Sequence, residues 1–431
     1  MSYLCLDVGS TWTKGVLVAV DGTVLGAAQH RTTPPEVLTG VAEVSGALDA
    51  GSADVLACSS AGGGLRLAVV GQERLVSAEA GYRVALSAGG KVVHVFAGRL
   101  AAADVRALRA AAPDVVLLVG GTDGGDQDVL LHNAARLGAA RVAVPIVLAG
   151  NREARPAALA ALDRRQVFPT ANVLPDVGEL DPEPARTAIR EVFLSHVIGG
   201  KGLSRGPRFR RMVRAVTPDA VLSAVARLAA LLPDARGAVL VVDVGGATTD
   251  VYSAVAEVEA PERAVALPAD RRTVEGDLGM RFGAPGVVAE AIAERLLAPG
   301  ELAAEAARRH DDVELVADTP AEQEIDLRLA RLAVILAVRR HLRMVEGRLG
   351  PHGAARLVLS GGVFRHAGDL AGLVDALRGA LGPVLRTAEV VVDRVGVLGP
   401  AGLLAQAGRT EAADALLSTL PLSAPLPGRA G

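Results

Sequence analysis

Aromatic residues make up only 2% of this 431-residue chain. Platforms for stacking bases are therefore scarce, and a formal net charge of −3 supplies no basic field for a phosphate backbone, so nucleic acid is not an expected partner. Cysteine is rarer still. Cys5 and Cys58 are the only two, too few for a disulfide scaffold, a zinc site or an iron–sulfur cluster, and both are expected to fill cores. Long apolar runs are missing as well: stretches such as 332–338 fall far short of a membrane span. No basic segment precedes the first apolar stretch, and Asp7 interrupts it, which argues against a secretory leader. A soluble, cytoplasmic protein with no membrane partner is expected. The sequence also lacks a Gly-x-x-x-x-Gly-Lys-Ser/Thr loop, a Gly-x-Gly-x-x-Gly turn opening a helix, His-Glu-x-x-His, Cys-x-x-Cys and a nucleophile elbow. Lysine is the last scarcity. Only Lys14, Lys91 and Lys201 occur against a large excess of arginine, which marks a kept lysine as a place where a planar guanidinium cannot replace a compact ammonium. Lys201, in 198–203, has no chemistry assigned to it.

What is present is a loop that occurs twice. The chain reads Asp7-Val8-Gly9-Ser10-Thr11-Trp12-Thr13-Lys14 near its start and Asp243-Val244-Gly245-Gly246-Ala247-Thr248-Thr249-Asp250 past its middle. Both copies follow an apolar run and precede another, the pattern of strand, tight turn and strand. Aligning Asp7 with Asp243 aligns Gly9 with Gly245, Thr13 with Thr249 and Lys14 with Asp250. Glycine lets backbone N–H groups approach phosphate oxygens, hydroxyls add donors, and each Asp can orient the water shell of Mg²⁺. Two such hairpins facing each other would hold a polyphosphate, with Lys14 neutralising charge and Asp250 orienting a water or the metal.

Half of the residues are hydrophobic, so cores must be built from Ala, Val and Leu, and the length calls for more than one domain. Helical and extended patterns alternate up to about residue 150, an α/β rhythm with buried, largely parallel strands. The glycine-rich 120–128 segment, with Asp123, Asp126 and Asp128, suits a ligand contact or a hinge. Residues 151–237 change character to proline clusters and helical patterns, and 204–214 is the most basic stretch, a solvated face or a docking surface for an acidic partner. Glu275 and Asp277 straddle Gly276, either to reach a metal or an attacking water or as an ordinary turn. His341 reads as a partly exposed helix residue. The strand at 357–359 runs into Gly361 and Gly362, which leave room for an adenine and its ribose, and 395–404 reads as a helix of small residues.

The order of these elements resembles the actin, heat-shock ATPase and sugar-kinase superfamily. Its first phosphate motif resembles 7–14, its second 243–250 and its adenosine motif 357–364. Its connecting small-residue helices resemble 120–137 and 395–404. Within it, the phrases Gly120-Gly121-Thr122-Asp123-Gly124-Gly125, Asn172-Val173-Leu174-Pro175, Ile189-Arg190-Glu191-Val192-Phe193 and Val274-Glu275-Gly276-Asp277-Leu278-Gly279 are similar to the glutamate mutase accessory proteins of the MutL type. The resemblance runs to about residue 408. It implies a two-lobed actin-like α/β fold of duplicated ribonuclease H-like domains with an inserted, mainly helical segment. The lobes would span 1–150 and 238–408, the insert 151–237 and a tail 409–431.

The same resemblance implies an ATP-binding and ATP-hydrolysing reactivating factor or chaperone for an adenosylcobalamin-dependent mutase. Asp7 and Asp243 would hold Mg²⁺ through its waters. Backbone N–H groups of Gly9, Ser10 and Thr11, and of Gly245, Gly246 and Ala247, would bind phosphate, with hydroxyls of Ser10, Thr11, Thr13 and Thr248 assisting. Lys14 would neutralise the γ-phosphate, one of Asp243, Asp250 and Glu275 would orient the attacking water, and Gly361 and Gly362 would border the adenosine. A small-molecule kinase and a hydantoinase-like subunit are the alternatives on the same fold. Which mutase is served, and whether the protein forms a homodimer, stay open.

Overall fold

The computed structural model describes residues 2–60, 65–197, 203–204, 207–232, 237–255, 269–345, 347, 349 and 353–420. Lys201 lies outside the described residues. The chain divides into two compact units, one built from 1–223, 259–271 and 399–412, the other from 224–258, 272–398 and 413–431.

The duplicated loop belongs to a duplicated sheet. β1 (Ser2–Val8), β2 (Trp12–Ala19) and β3 (Val24–Arg31) form an antiparallel meander, and β4 (Asp54–Ser59) pairs parallel with β1. β10 (Val213–Val216) completes the sheet alongside β4, giving the order β10-β4-β1-β2-β3. In the second sheet β11 (Ala238–Val244), β12 (Thr249–Val255), β13 (Asp270–Glu275), β14 (Ala354–Ser360) and β15 (Glu389–Val392) lie in the order β13-β12-β11-β14-β15. Numbered within each copy, both sheets run third, second, first, fourth, fifth strand. This is the expected ribonuclease H-like repeat. The first strand of each copy is central and covered on both faces, which is why Leu4–Leu6 and Val239–Val242 read as unbroken apolar runs rather than alternations. β3, at an edge, alternates half-buried and exposed positions along its whole length.

A third sheet lies wholly between β4 and β10 in the chain. β5 (Arg66–Gly71), β6 (Lys91–Ala97), β7 (Val115–Leu118), β8 (Ile146–Leu148) and β9 (Val167–Pro169) are all parallel, in the order β6-β5-β7-β8-β9. One face shares a core with the first sheet: Leu67 and Val115 join Leu4 and Leu6 through Val84 and Ile189 of the Ser77–Ser87 and Glu183–Val192 helices. The other face, with Val70 and Leu118, packs on Leu130, Ala134 and Leu137 of the Asp128–Ala139 helix. The 151–237 stretch holds the expected helices and adds β9 and β10, strands of three and four residues that are too short to show a period.

The small-residue helix expected at 395–404 is present as Leu398–Gln406. Its neighbour is the Thr217–Ala230 helix: a Cβ at Gly402 would stand 1.7 Å from the Ala220 carbonyl oxygen. Gly402→Ala should therefore lower stability in urea unfolding by about 2 kcal/mol, as overpacking of a tight contact does. Gly399→Ala, with nothing within 4 Å of its added methyl, should be neutral or slightly stabilising.

Candidate functional site

The two turns are built alike. In the first, Asp7 lies opposite Lys14 and Val8 opposite Thr13, and Gly9 N–H closes the turn on the Trp12 carbonyl at 3.0 Å. In the second, Asp243 lies opposite Asp250 and Val244 opposite Thr249, and Gly245 N–H closes on Thr248 at 2.9 Å. The Gly9 and Gly245 N–H groups are thus engaged inside their turns and are not open to phosphate, contrary to the expectation for them. The neighbouring donors are. Ser10, Thr11, Gly246 and Ala247 are exposed, and none of their N–H groups has an acceptor among the described residues.

The carbonyls of both turns are tied down from behind. Thr32 donates its hydroxyl to Gly9 O (2.8 Å) and its N–H to Thr11 O (2.9 Å). In the second turn Met280 N–H reaches Gly245 O (2.9 Å) and Arg281 N–H reaches Gly246 O (2.8 Å). The Arg281 side chain is itself anchored on the carbonyls of Met280 (2.7 Å) and Leu315 (2.9 Å) and on Asp326 (3.2 Å). Acceptors face inward and donors face out, which is the polarity an anion requires.

The hydroxyls divide. Thr13 is fully buried and its Oγ1 lies 3.1 Å from that of Thr32, so it supports the turn instead of facing outward as expected. Ser10 donates to Ser60 O at 3.2 Å, and Thr248 donates to Asp250 Oδ2 at 3.2 Å. Thr11 stands exposed with no hydroxyl partner among the described residues. Lys14 is half-buried with no ion pair among them. Asp7 Oδ1 accepts from the Thr217 hydroxyl at 2.6 Å and faces the Cys58 thiol at 3.7 Å. Asp243 has no hydrogen-bond partner among the described residues.

Two of the acids carry partners invisible in the sequence. Asp250 Oδ1 is held by Arg272 from β13, through Nε at 2.9 Å and Nη2 at 2.5 Å. Burial pushes the Asp250 carboxyl up, while the Arg272 charge pulls against that shift. Glu275 is bound by Arg340 of the Pro320–Met344 helix at 2.8 Å, and the same guanidinium takes Asp277 at 2.8 and 3.0 Å and Glu290 at 3.0 Å. Burial raises the Glu275 carboxyl and the Arg340 hydrogen bond opposes it. Neither arginine stood out, because nothing in its own neighbourhood distinguishes it from the many others.

Gly361 is buried, with φ of 122°, and a Cβ there would lie 2.3 Å from the Val244 carbonyl oxygen, so its small size serves the close approach of β14 to the end of β11. Gly362 is exposed with open space beside it. The acids of the 120–128 segment are engaged locally: Asp123 accepts from Arg152 N–H and Asn172, and Asp126 from Gln72 and Asp128 N–H. His341 is fully buried between the hydroxyls of Ser253 (2.8 Å) and Thr273 (3.0 Å), not partly exposed. Arg208, Arg210, Arg211 and Arg214 of the basic stretch are exposed. No group of three or more His, Cys, Asp or Glu able to hold a bare metal ion occurs among the described residues, and none of their helices is long and apolar enough to cross a membrane.

The sequence profile described as MutL protein matches residues 3–420. Protein MutL of Clostridium tetanomorphum is 32% identical over 446 residues, covering 94% of this chain and 96% of the relative. Among solved structures, acetone carboxylase in its nucleotide-free form matches with a TM-score of 0.41 at 15% identity, covering 93% of this chain and 69% of the other. Xylulose kinase from Rhodospirillum rubrum gives 0.37 at 14% identity over 97% and 92% of the two chains. The PilM–PilN type IV pilus biogenesis complex gives 0.35 at 14% identity over 98% and 99%.

The Asp250–Arg272 pair predicts a thermodynamic cycle. Removing either partner strands a buried charge, so Asp250→Asn and Arg272→Met should each cost about 3 kcal/mol in urea unfolding, while the double variant recovers much of the loss. The thiols should be silent: burial pushes Cys5 up to about 12 and Cys58 well above its usual range. An exposed-thiol reagent at mild alkaline pH should label neither until the chain is unfolded.

Proposed function

The chain belongs to the MutL family of glutamate mutase accessory proteins, and from that premise we propose that it is an ATP-driven reactivating factor for an adenosylcobalamin-dependent mutase. The observation that carries the nucleotide half of this reading is the pair of matched turns, each presenting unengaged N–H groups beside a carboxylate at the same register. Asp7 and Asp243 fit a hydrated magnesium ion, because Asp243 and Asp7 Oδ2 have no partners among the described residues and can accept from its waters. When bound, that ion neutralises charge on the terminal phosphates.

The protein's own groups do the rest. N–H groups of Ser10, Thr11, Gly246 and Ala247 bind phosphate oxygens, and the Thr11 hydroxyl adds a donor. The Lys14 ammonium stabilises charge that grows on the γ-phosphoryl oxygens during transfer. Asp243 orients the attacking water; Asp250 and Glu275 are engaged by Arg272 and Arg340 and serve to hold the loops. Gly361 and Gly362 border the adenosine. Phosphate release changes the contacts that the turns make with the nucleotide, and that change is passed to a bound mutase subunit. The protein works in the cytoplasm beside its mutase, without nucleic acid or membrane.

Asp243→Ala should lose affinity for magnesium–ATP in calorimetry while keeping its circular dichroism spectrum. Lys14→Ala should lower turnover more than nucleotide affinity, and Lys14→Arg should restore only part of it, since a lysine acting on transition-state charge contributes little to ground-state binding. For the biological role, glutamate mutase inactivated with hydroxocobalamin is mixed with this protein, magnesium–ATP and fresh adenosylcobalamin. Activity should return only with ATP and should not return with Asp243→Ala. Recovery that is equal without ATP would overturn the reactivating role.

A further inference from the structure

Asp7 is the only acid in the first turn, and how its carboxylate is held is not visible in that turn. Its Oδ1 accepts a 2.6 Å hydrogen bond from Thr217, a residue 210 positions away. Cys58, opposite Asp7 on β4, places its thiol 3.7 Å from the same oxygen and 3.7 Å from the Leu6 carbonyl oxygen. The Thr217 hydroxyl thus acts on one oxygen, leaving Oδ2 without a partner among the described residues.

Thr217 is itself held firmly. It directly follows β10, which is separated from β1 only by β4. It opens the Thr217–Ala230 helix, where Pro218 suits the first turn. Two residues on, the buried Asp219 accepts from Arg190 Nε at 2.7 Å and from Gln406 Nε2 at 3.2 Å. Arg190 belongs to the Glu183–Val192 helix, whose Ile189 lies in the core shared with the third sheet. The side chain facing Asp7 is thus fixed through its backbone by a helix of the inserted layer.

We infer that Thr217 is a positioning residue for the magnesium–nucleotide site: its hydroxyl sets the orientation of the Asp7 carboxylate, and the Asp219–Arg190 pair holds Thr217 where it can do so. This rests on the reading of Asp7 as a holder of hydrated magnesium. A hydrogen bond to a charged acceptor contributes more than a neutral one, so losing it should show in metal-dependent binding and not in folding alone.

The test is equilibrium binding of a fluorescent ATP analogue to the full chain, with magnesium titrated, and again in EDTA. Thr217→Val removes the hydroxyl at nearly constant volume. It should raise the magnesium midpoint about tenfold, while binding in EDTA stays within about twofold of the unaltered protein. Thr217→Ser keeps the donor and should titrate within about threefold of the unaltered protein. Should the valine variant not fold, Thr217→Ala removes the same hydroxyl with less bulk and carries the same expectation. A Thr217→Val titration that matches the unaltered protein, or an equal loss with and without magnesium, overturns the inference. Asp7→Asn separates the two claims. If it abolishes magnesium dependence while Thr217→Val does not change it, only the role of Thr217 fails. If Asp7→Asn changes nothing, the assignment of Asp7 fails and takes this inference with it.

Discussion

Each phosphate-like turn depends on having its carbonyl groups bound from behind. A tight turn exposes donors and acceptors together, and an anion approaching it would meet both. Here Thr32 takes the Gly9 and Thr11 oxygens, and the 280–281 backbone takes those of Gly245 and Gly246. What is left facing outward is positive. The support explains features away from the turns. Thr32 must follow the third strand of its meander, and Gly279 must lack a side chain because a Cβ there would lie 2.5 Å from the Ala247 carbonyl carbon. The two copies arrive at the same polarity by unrelated means, one from a threonine and one from a loop anchored by Arg281.

Where the copies differ, the difference is electrostatic. The position opposite the carboxylate is Lys14 in one and Asp250 in the other. Two acids side by side at a strand end would repel, and Arg272 compensates the second from the neighbouring strand. Its guanidinium also lies over the Tyr252 ring, 5.8 Å from its centroid, so the charge is supported on two sides. The second turn is thereby locked by a buried pair, while the first keeps a lysine without an ion pair among the described residues.

The repeat was legible in the sequence because both copies preserve the same spacing of Asp, Gly and Thr, and spacing is what sequence reports best. The apolar first strands were legible for the same reason. Partners brought together across long separations were not. Thr217, Arg272 and Arg340 sit in ordinary helix or strand contexts, and only the fold shows which acids they meet. Thr13 looked like a phosphate ligand because threonine in a glycine turn usually faces outward, yet strand alternation turns it into the core. The small residues of the Leu398–Gln406 helix announce a close approach but not its partner, because the neighbour at Ala220 lies in a helix whose leucines and arginine disguise it.

The place of the third sheet in the chain bears on synthesis. β4 is made early, but β10, its neighbour on the outer side, follows only after β5 to β9 have all been made. While the ribosome produces that stretch, the β4 edge has no strand to pair with, an open template for wrong pairing. The third sheet, by contrast, draws its strands from one continuous segment and can close as it emerges. Its folding fixes the helix that carries Ile189 and Arg190 before the rest of the first repeat is finished, and so offers the nascent β4 a partly built neighbour. Nascent-chain arrest on either side of residue 216 is where protection of β4 should change.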